Sequence, residues 1–332
     1  MVRSRATELL YKGSFPPKEV SRPDCPPLYF STAYEVEDMD DYDYASGGGK
    51  YFYNRTAAPN RDMLAEAITY MEDGEDSIIT SSAMAAISST LLSLLKSGDR
   101  ILCSKAAYGE TIELLKNLLP NFGIIADFAD FTDINDVQSN IHAETKILYT
   151  EIISNPLIQV VDIDAVARLG KEHGILTIVD STFTTPFAIR PLEHGADIVI
   201  HSLTKFFGGH GDITGGSITG SKELIGRIDP NYLLLGGCLD PHSAWLALRS
   251  IRTMKLRVEK QMKNADALAR FLEKDSHVRY VNYPSLSSHP QHELASRILP
   301  NGCGAMLSFR VQDDREKVNA FIRHLEMIKY LG

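Results

Sequence analysis

Long apolar runs are missing from this chain; none approaches the roughly 20 residues that a membrane-spanning helix needs. The first residues, Met1 to Tyr11, carry basic side chains but lack the apolar centre of a signal peptide. Cysteine is scarce: Cys25, Cys103, Cys238 and Cys303 are scattered, with no CxxC spacing. They read as free thiols in a reducing compartment, which predicts a cytoplasmic protein. The net charge is −9, and like charges cluster only in the short acidic stretch Glu35 to Asp43. That argues against nucleic-acid and membrane-surface partners. No GxGxxG follows the first strand candidate, which weakens a nucleotide-binding oxidoreductase reading. Gly47-Gly48-Gly49-Lys50 imitates a phosphate loop, but Tyr44 stands where its first glycine belongs and Tyr51 replaces Ser or Thr. There is no internal repeat and no low-complexity tract.

What is present is a chain of 332 residues with 44% hydrophobic and 23% charged residues, enough for a large core and two domains. Residues 1–58 are rich in Pro, Tyr, Asp and Gly, lack periodicity and read as an extended arm. Over 59–240, helical and strand patterns alternate: Ser77 to Thr80, Arg100 to Cys103, Gly123 to Ala126, Lys146 to Tyr149, Ile175 to Val179 and Asp197 to Ile200 read as strands. Helices are predicted between them, over Ala83 to Lys96, Thr111 to Leu119, Ile134 to Ile141 and Ile163 to His173. This is the pattern of an α/β unit with a mainly parallel sheet covered by helices. Over 241–332 a smaller α+β unit is expected, with long helices at Ala244 to Leu272 and Glu316 to His324.

In such sheets ligands bind beyond the carboxyl ends of the strands. Two chemically suggestive residues lie at such ends. Asp180 follows Ile178-Val179, and Lys205 follows the last strand in His201-Ser202-Leu203-Thr204-Lys205-Phe206-Phe207-Gly208-Gly209-His210. A lysine there is poorly placed for solvation and well placed to become a nucleophile. Lysine plus a remote aspartate is the minimal pair for pyridoxal phosphate, the lysine holding the aldehyde and the aspartate a proton on the ring nitrogen. A phosphate needs N–H groups at a helix start and hydroxyl donors. Ser81-Ser82-Ala83-Met84 offers the first, although Ser there equally suits a helix cap, and Ser202 and Thr204 offer the second. Tyr108 is either a ring-stacking, proton-exchanging residue or an ordinary loop tyrosine. Asn155-Pro156 is a turn signal. His289 and His292 read as surface residues of a loop, and no metal-ligand spacing occurs around His201 or His210.

Together these residues resemble the Cys/Met-metabolism group of pyridoxal-phosphate enzymes: cystathionine γ-synthase, the cystathionine lyases, methionine γ-lyase and O-acetylhomoserine sulfhydrylase. The resemblance covers nearly the whole chain. It is carried by Tyr53-Asn54-Arg55 with Pro59 and Arg61, by Ser81 to Ala86, by Tyr108-Gly109 and by Asn155-Pro156. It continues through Val179 to Pro186 and, most specifically, through Gly195-Ala196-Asp197 and His201 to Asp212. It implies the type I fold of these enzymes, with a seven-stranded sheet, and assigns catalysis to Lys205, Tyr108 and Asp180. It implies that Ala83, Met84, Ser202 and Thr204 bind phosphate and that Asn155 lies near the phenolic oxygen. Tyr53 and Arg55 would reach a neighbouring subunit's phosphate in a dimer of dimers.

Departures from the family pattern are Ala83 in place of a common glycine and Glu110 where small residues or cysteine are usual. The family also continues past the position of Gly332, through a Ser-Leu-Gly segment and the arginine for the substrate carboxylate, so a truncated second domain is expected. The leading expectation is a C–S lyase working by α,γ-elimination on a small amino acid. A γ-replacement transferase and a catalytically impaired, cofactor-binding homologue stand as alternatives.

Overall fold

The computed structural model describes residues 23–311 and 314–331. Most of the first part of the arm and Gly332 therefore lie outside the described residues. Within the arm, Met39–Ser46 is a helix, α1, rather than extended chain. Asp38 caps it by accepting from the Asp41 N–H at 2.9 Å, and Asp40 and Asp41 occupy its first turn. The acidic stretch, which shows no periodicity, is thus a helix start whose charge suits the positive end of the peptide dipoles.

The chain then runs through α2 (Pro59–Glu72), β1 (Asp76–Thr80), α3 (Ala83–Leu94) and β2 (Arg100–Ser104). It continues through α4 (Gly109–Glu113), β3 (Ile125–Ala129), α5 (Ile134–Ser139) and β4 (Thr145–Glu151). Next come α6 (Ile163–His173), β5 (Leu176–Asp180), α7 (Thr185–Ala188), β6 (Ile198–Ser202) and β7 (Gly216–Gly220). The C-terminal part holds α8 (Lys222–Leu235), α9 (Pro241–Ile251), α10 (Met254–Leu272), β8 (Tyr280–Asn282), α11 (His292–Ile298), β9 (Ser308–Arg310) and α12 (Arg315–Arg323).

One seven-stranded sheet has the order β1-β7-β6-β5-β4-β2-β3. The pairs from β6 to β3 are parallel, and β7 runs antiparallel to both its neighbours. β8 and β9 form a separate antiparallel pair. Side-chain alternation divides the core between the faces of the large sheet. Leu102, Leu148 and Val179 pack on one face with Leu64 and Ile68 of α2. Ile101, Ile147, Ile178 and Ile200 pack on the other with Ala86 and Ile87 of α3. α9 lies against α2, and α8 against α3.

Ala244 to Leu272 is not one helix. Thr253 leaves helical geometry, with φ −113° and ψ 5°, and its N–H and hydroxyl both donate to Ser250 O. Local side-chain hydrogen bonding of this kind competes with helix propagation. His289 is not at the surface either: it is buried, with Nε2 2.9 Å from Ile158 O and Nδ1 accepting from the Gln291 N–H at 3.1 Å.

Candidate active site

Parity along the strands decides which side chains share a face. Glu151, Asp180 and Ser202 end β4, β5 and β6, and each continues the series that buries Ile147, Ile178 and Ile200 against α3. In the sheet register Glu151 stands beside Asp180, and Asp180 beside Ile200. His201 has the opposite parity and lies on the α2 face, stacked near Phe207 with ring centroids 4.9 Å apart.

The start of α3 faces the same strand ends. Ser82 is the helix cap, accepting from the Ala85 N–H at 3.1 Å, while its carbonyl takes the Ala86 N–H. Among the described residues no acceptor is bonded to the N–H groups of Ala83 and Met84, as expected for the first turn of a helix. Gly216 of β7 lets this turn approach closely, since a Cβ there would meet Ser82 O at 2.4 Å.

Between these elements is a cavity of about 230 Å³. Ala83 and Met84 line it from the helix, Ser202, Thr204 and Lys205 from the end of β6, and Asp180 from β5. Tyr108 and Asn155 complete the set of expected residues brought together there. Tyr53 and Arg55 do not line it. Arg55 instead donates to Leu233 O at 2.8 Å, at the end of α8, with its guanidinium 5.7 Å from the Tyr53 ring centre.

Lys205 is exposed rather than shielded. The strand ends at Ser202, and the lysine lies in the wide turn Leu203–Phe207 beyond it, where the core no longer covers the chain. No acid is ion-paired with its amine among the described residues. Thr204 Oγ1 accepts from the Gly215 N–H at 3.1 Å and donates to Gly215 O in a long 3.5 Å bond, which a phosphate oxygen would readily replace as acceptor. The Ser202 N–H donates to Thr182 Oγ1 at 2.8 Å, tying the ends of β5 and β6 together.

Burial pushes the Asp180 carboxyl up, and hydrogen bonding from Thr182, whose N–H lies 2.9 Å from Oδ1, holds it down. Glu151 is missing from the expected site, although it lines the cavity. Its Oε1 accepts the Tyr108 N–H at 2.6 Å, and its buried Oε2 has no partner. Burial, with the Asp180 charge beside it, pushes this carboxyl well above the ordinary range. The sequence carried the signal in the form that marks Asp180, an apolar strand running into a carboxylate.

The residues fit an anionic, nitrogen-heterocyclic aldehyde. Unbonded helix N–H groups and two hydroxyls suit a phosphate, a buried carboxylate suits a ring N–H, and an unpaired lysine suits the aldehyde. Residues 6–331 match the family of Cys/Met metabolism PLP-dependent enzymes. The chain belongs to that family. Members of the Cys/Met-metabolism family among its relatives include a canavanine γ-lyase from Pseudomonas canavaninivorans, 37% identical over 91% of this chain and 76% of the relative. A cystathionine β-lyase from Lactococcus lactis subsp. cremoris is 40% identical over 83% of this chain and 72% of its own. Among solved structures, a cystathionine γ-synthase from Xanthomonas oryzae pv. oryzae, in complex with aminoacrylate and cysteine, superposes with a TM-score of 0.87. It is 33% identical, covering 93% of this chain and 78% of that one. The protein is accordingly a pyridoxal-phosphate enzyme with the type I fold of its family. Among the described residues, no helix is long and apolar enough to cross a membrane, and no three His, Cys, Asp or Glu side chains gather as a metal site.

Proposed function

We propose that this family member is a C–S lyase of sulfur amino-acid metabolism, of the cystathionine or methionine γ-lyase type. The observation that carries the reading is the meeting in one cavity of the unpaired Lys205 amine and the Tyr108 phenol, which is 46% exposed. A γ-elimination needs one group to move protons at the substrate carbons and another to protonate the leaving sulfur.

Pyridoxal phosphate, when bound, supplies an electron sink for charge developing at the substrate's α-carbon. The N–H groups of Ala83 and Met84 and the hydroxyls of Ser202 and Thr204 would hold its phosphate, Asp180 its ring-nitrogen proton, and Lys205 its aldehyde. Asn155 orients the phenolic oxygen and the substrate carboxylate. Lys205 Nζ, as the free amine, would take the Cα proton of the substrate and then a proton from Cβ. The Tyr108 hydroxyl gives a proton to the departing γ-sulfur.

We also infer a homo-oligomer, in which Tyr53 and Arg55 serve a neighbouring subunit's phosphate. Their place beside α8, whose last residues Leu234 and Leu235 are exposed apolar side chains, supports this. The free thiols support a reducing, cytoplasmic setting.

The test is incubation of the protein with cystathionine, methionine, canavanine, and O-acetylhomoserine plus sulfide, with assay of 2-oxobutanoate. Keto acid from cystathionine or methionine is expected. A new thioether or homocysteine without keto acid replaces the lyase with γ-replacement, a reading favoured by the likeness to the Xanthomonas synthase. Turnover of canavanine alone moves the substrate from a thioether to a guanidinooxy amino acid. Cofactor absorbance without turnover leaves a binding homologue.

A further inference from the structure

The two carboxyl groups at the ends of β4 and β5 are the least expected feature of the cavity. Glu151 is 5% exposed, stands beside Asp180 in the register, and spends Oε1 on the backbone of Tyr108. That bond closes the turn that begins α4, with Tyr108 as the helix cap and no side-chain cap of its own. The reach is long in sequence, and it fixes a backbone whose side chain lines the cavity.

We propose that Glu151 is a positioning residue: its Oε1 fixes the Tyr108 turn against the cofactor cavity, and its carboxyl does so without adding a second negative charge beside Asp180. The proposal rests on the reading above only in giving Tyr108 a chemical task.

Two neighbouring carboxylates in a dry pocket do not both ionise at ordinary cost. The asymmetry between them favours a neutral Glu151. Asp180 receives the Thr182 N–H and further hydrogen bonding from that residue, and His201 lies within its field. Glu151 receives a single backbone N–H, and its other oxygen is buried without a partner. Beside it on the strands are Tyr149 and Cys103, both fully buried and both pushed up by burial, so neither supplies a positive charge. Two amines line pockets with it, Lys205 in the cavity and Lys105, with Asp130, on the other side, but among the described residues neither is ion-paired with its carboxyl, and Lys105 is paired with Asp136 instead. A neutral acid still presents a carbonyl oxygen to the Tyr108 N–H. It also leaves Asp180 as the anion of the pair for a ring N–H.

A glutamine reproduces this state, with a carbonyl for the Tyr108 N–H and a neutral donor in place of the acid O–H. An alanine removes both. Hydrogen exchange of the 107–109 backbone, measured on the cofactor-loaded protein, reads the bond directly. E151A is expected to speed exchange at Tyr108 at least tenfold, and E151Q to restore protection. With the best substrate, E151A is expected to lower kcat about tenfold or more with little change in KM. In the E151A background, Y108F is expected to cost much less than it does in the native protein. The pH midpoint of the bound-cofactor absorbance is expected to match between E151Q and the native protein.

Unchanged exchange in E151A overturns the proposal, as do fully multiplicative effects of E151A and Y108F. An E151Q as impaired as E151A, or with a shifted absorbance midpoint, overturns the neutral carboxyl. If Y108F in the native background leaves kcat untouched, the task given to Tyr108 fails, while the exchange result still decides whether Glu151 holds its backbone.

Discussion

Glu72 Oε1 lies 2.5 Å from His201 Nε2, and neither side chain is exposed to solvent. Glu72 ends α2 and His201 is in β6, four residues before Lys205. The pair therefore pins the helix to the strand that delivers the lysine. It sits on the face of the sheet away from the cavity. Replacing one partner strands the other in an apolar core. Breaking a buried pair in this way costs about 3–5 kcal/mol. E72A and H201A are expected to lose stability on that scale in chemical denaturation of the cofactor-loaded protein. A loss below about 1 kcal/mol, the level of an exposed pair, counts against the anchoring role.

Arg257 of α10 grips the far side of the lysine turn. Its guanidinium donates to Phe206 O at 3.1 Å, Phe207 O at 3.4 Å and Ser250 O at 3.0 Å. Gly209, at φ +73°, makes room for it, since a Cβ there would lie 1.8 Å from Nη1. R257A is expected to weaken cofactor binding about tenfold or more, measured by titrating the cofactor-free protein. R257K is expected to fall between, because an ammonium lacks the planar fork that reaches several carbonyls at once. Equal affinity of all three proteins removes Arg257 from the positioning of Lys205.

The parts legible in the sequence are those in which one strand carries its own message. Asp180 and Lys205 each follow an apolar run, and their position beyond a strand end follows from that alone. α6 is legible for the same reason, running over Ile163–His173 between Asp162, which caps it, and Gly174 in a left-handed turn. Glu151 has the same local form as Asp180. Its importance comes from register with Asp180 and from a bond to Tyr108, relations between segments that no local pattern records. His289 is hidden for a similar reason: a loop histidine beside proline looks solvated until the loop carrying Ile158 covers it. The exposure of Lys205 was obscured in the other direction, since burial of the strand does not extend to the turn beyond it.

The buried imidazole of His289 predicts a pH dependence. Its Nδ1 accepts from Gln291 N–H, and its Nε2 proton goes to Ile158 O, so the ring is held neutral. Burial lowers its pKa below 6.5, and the nearby His292 acts in the same direction. The stability this contributes is present above the unfolded value and is lost as pH falls through the lower folded one. The native protein is expected to lose thermal midpoint as pH falls below 6.5, and H289Q to flatten that fall. An H289Q profile parallel to the native one places the acid sensitivity elsewhere.

The opposite sign holds for Glu151. Its folded pKa is raised above 4.5, chiefly by burial, so the stability linked to its proton is full below that value and is lost as pH rises through the folded one. E151Q cannot ionise and does not share the loss. In cofactor-free protein, the stability of E151Q minus that of the native chain is therefore expected to be flat below pH 4.5 and to grow above it. The slope has a ceiling of about 1.4 kcal/mol per pH unit, set by one proton. The growth stops where the native carboxyl itself ionises, so the plateau reads that group's folded value without any assay of turnover. A difference that shrinks with rising pH would mean a Glu151 stabilised as the anion, and the charge beside Asp180 would then be doubled rather than avoided.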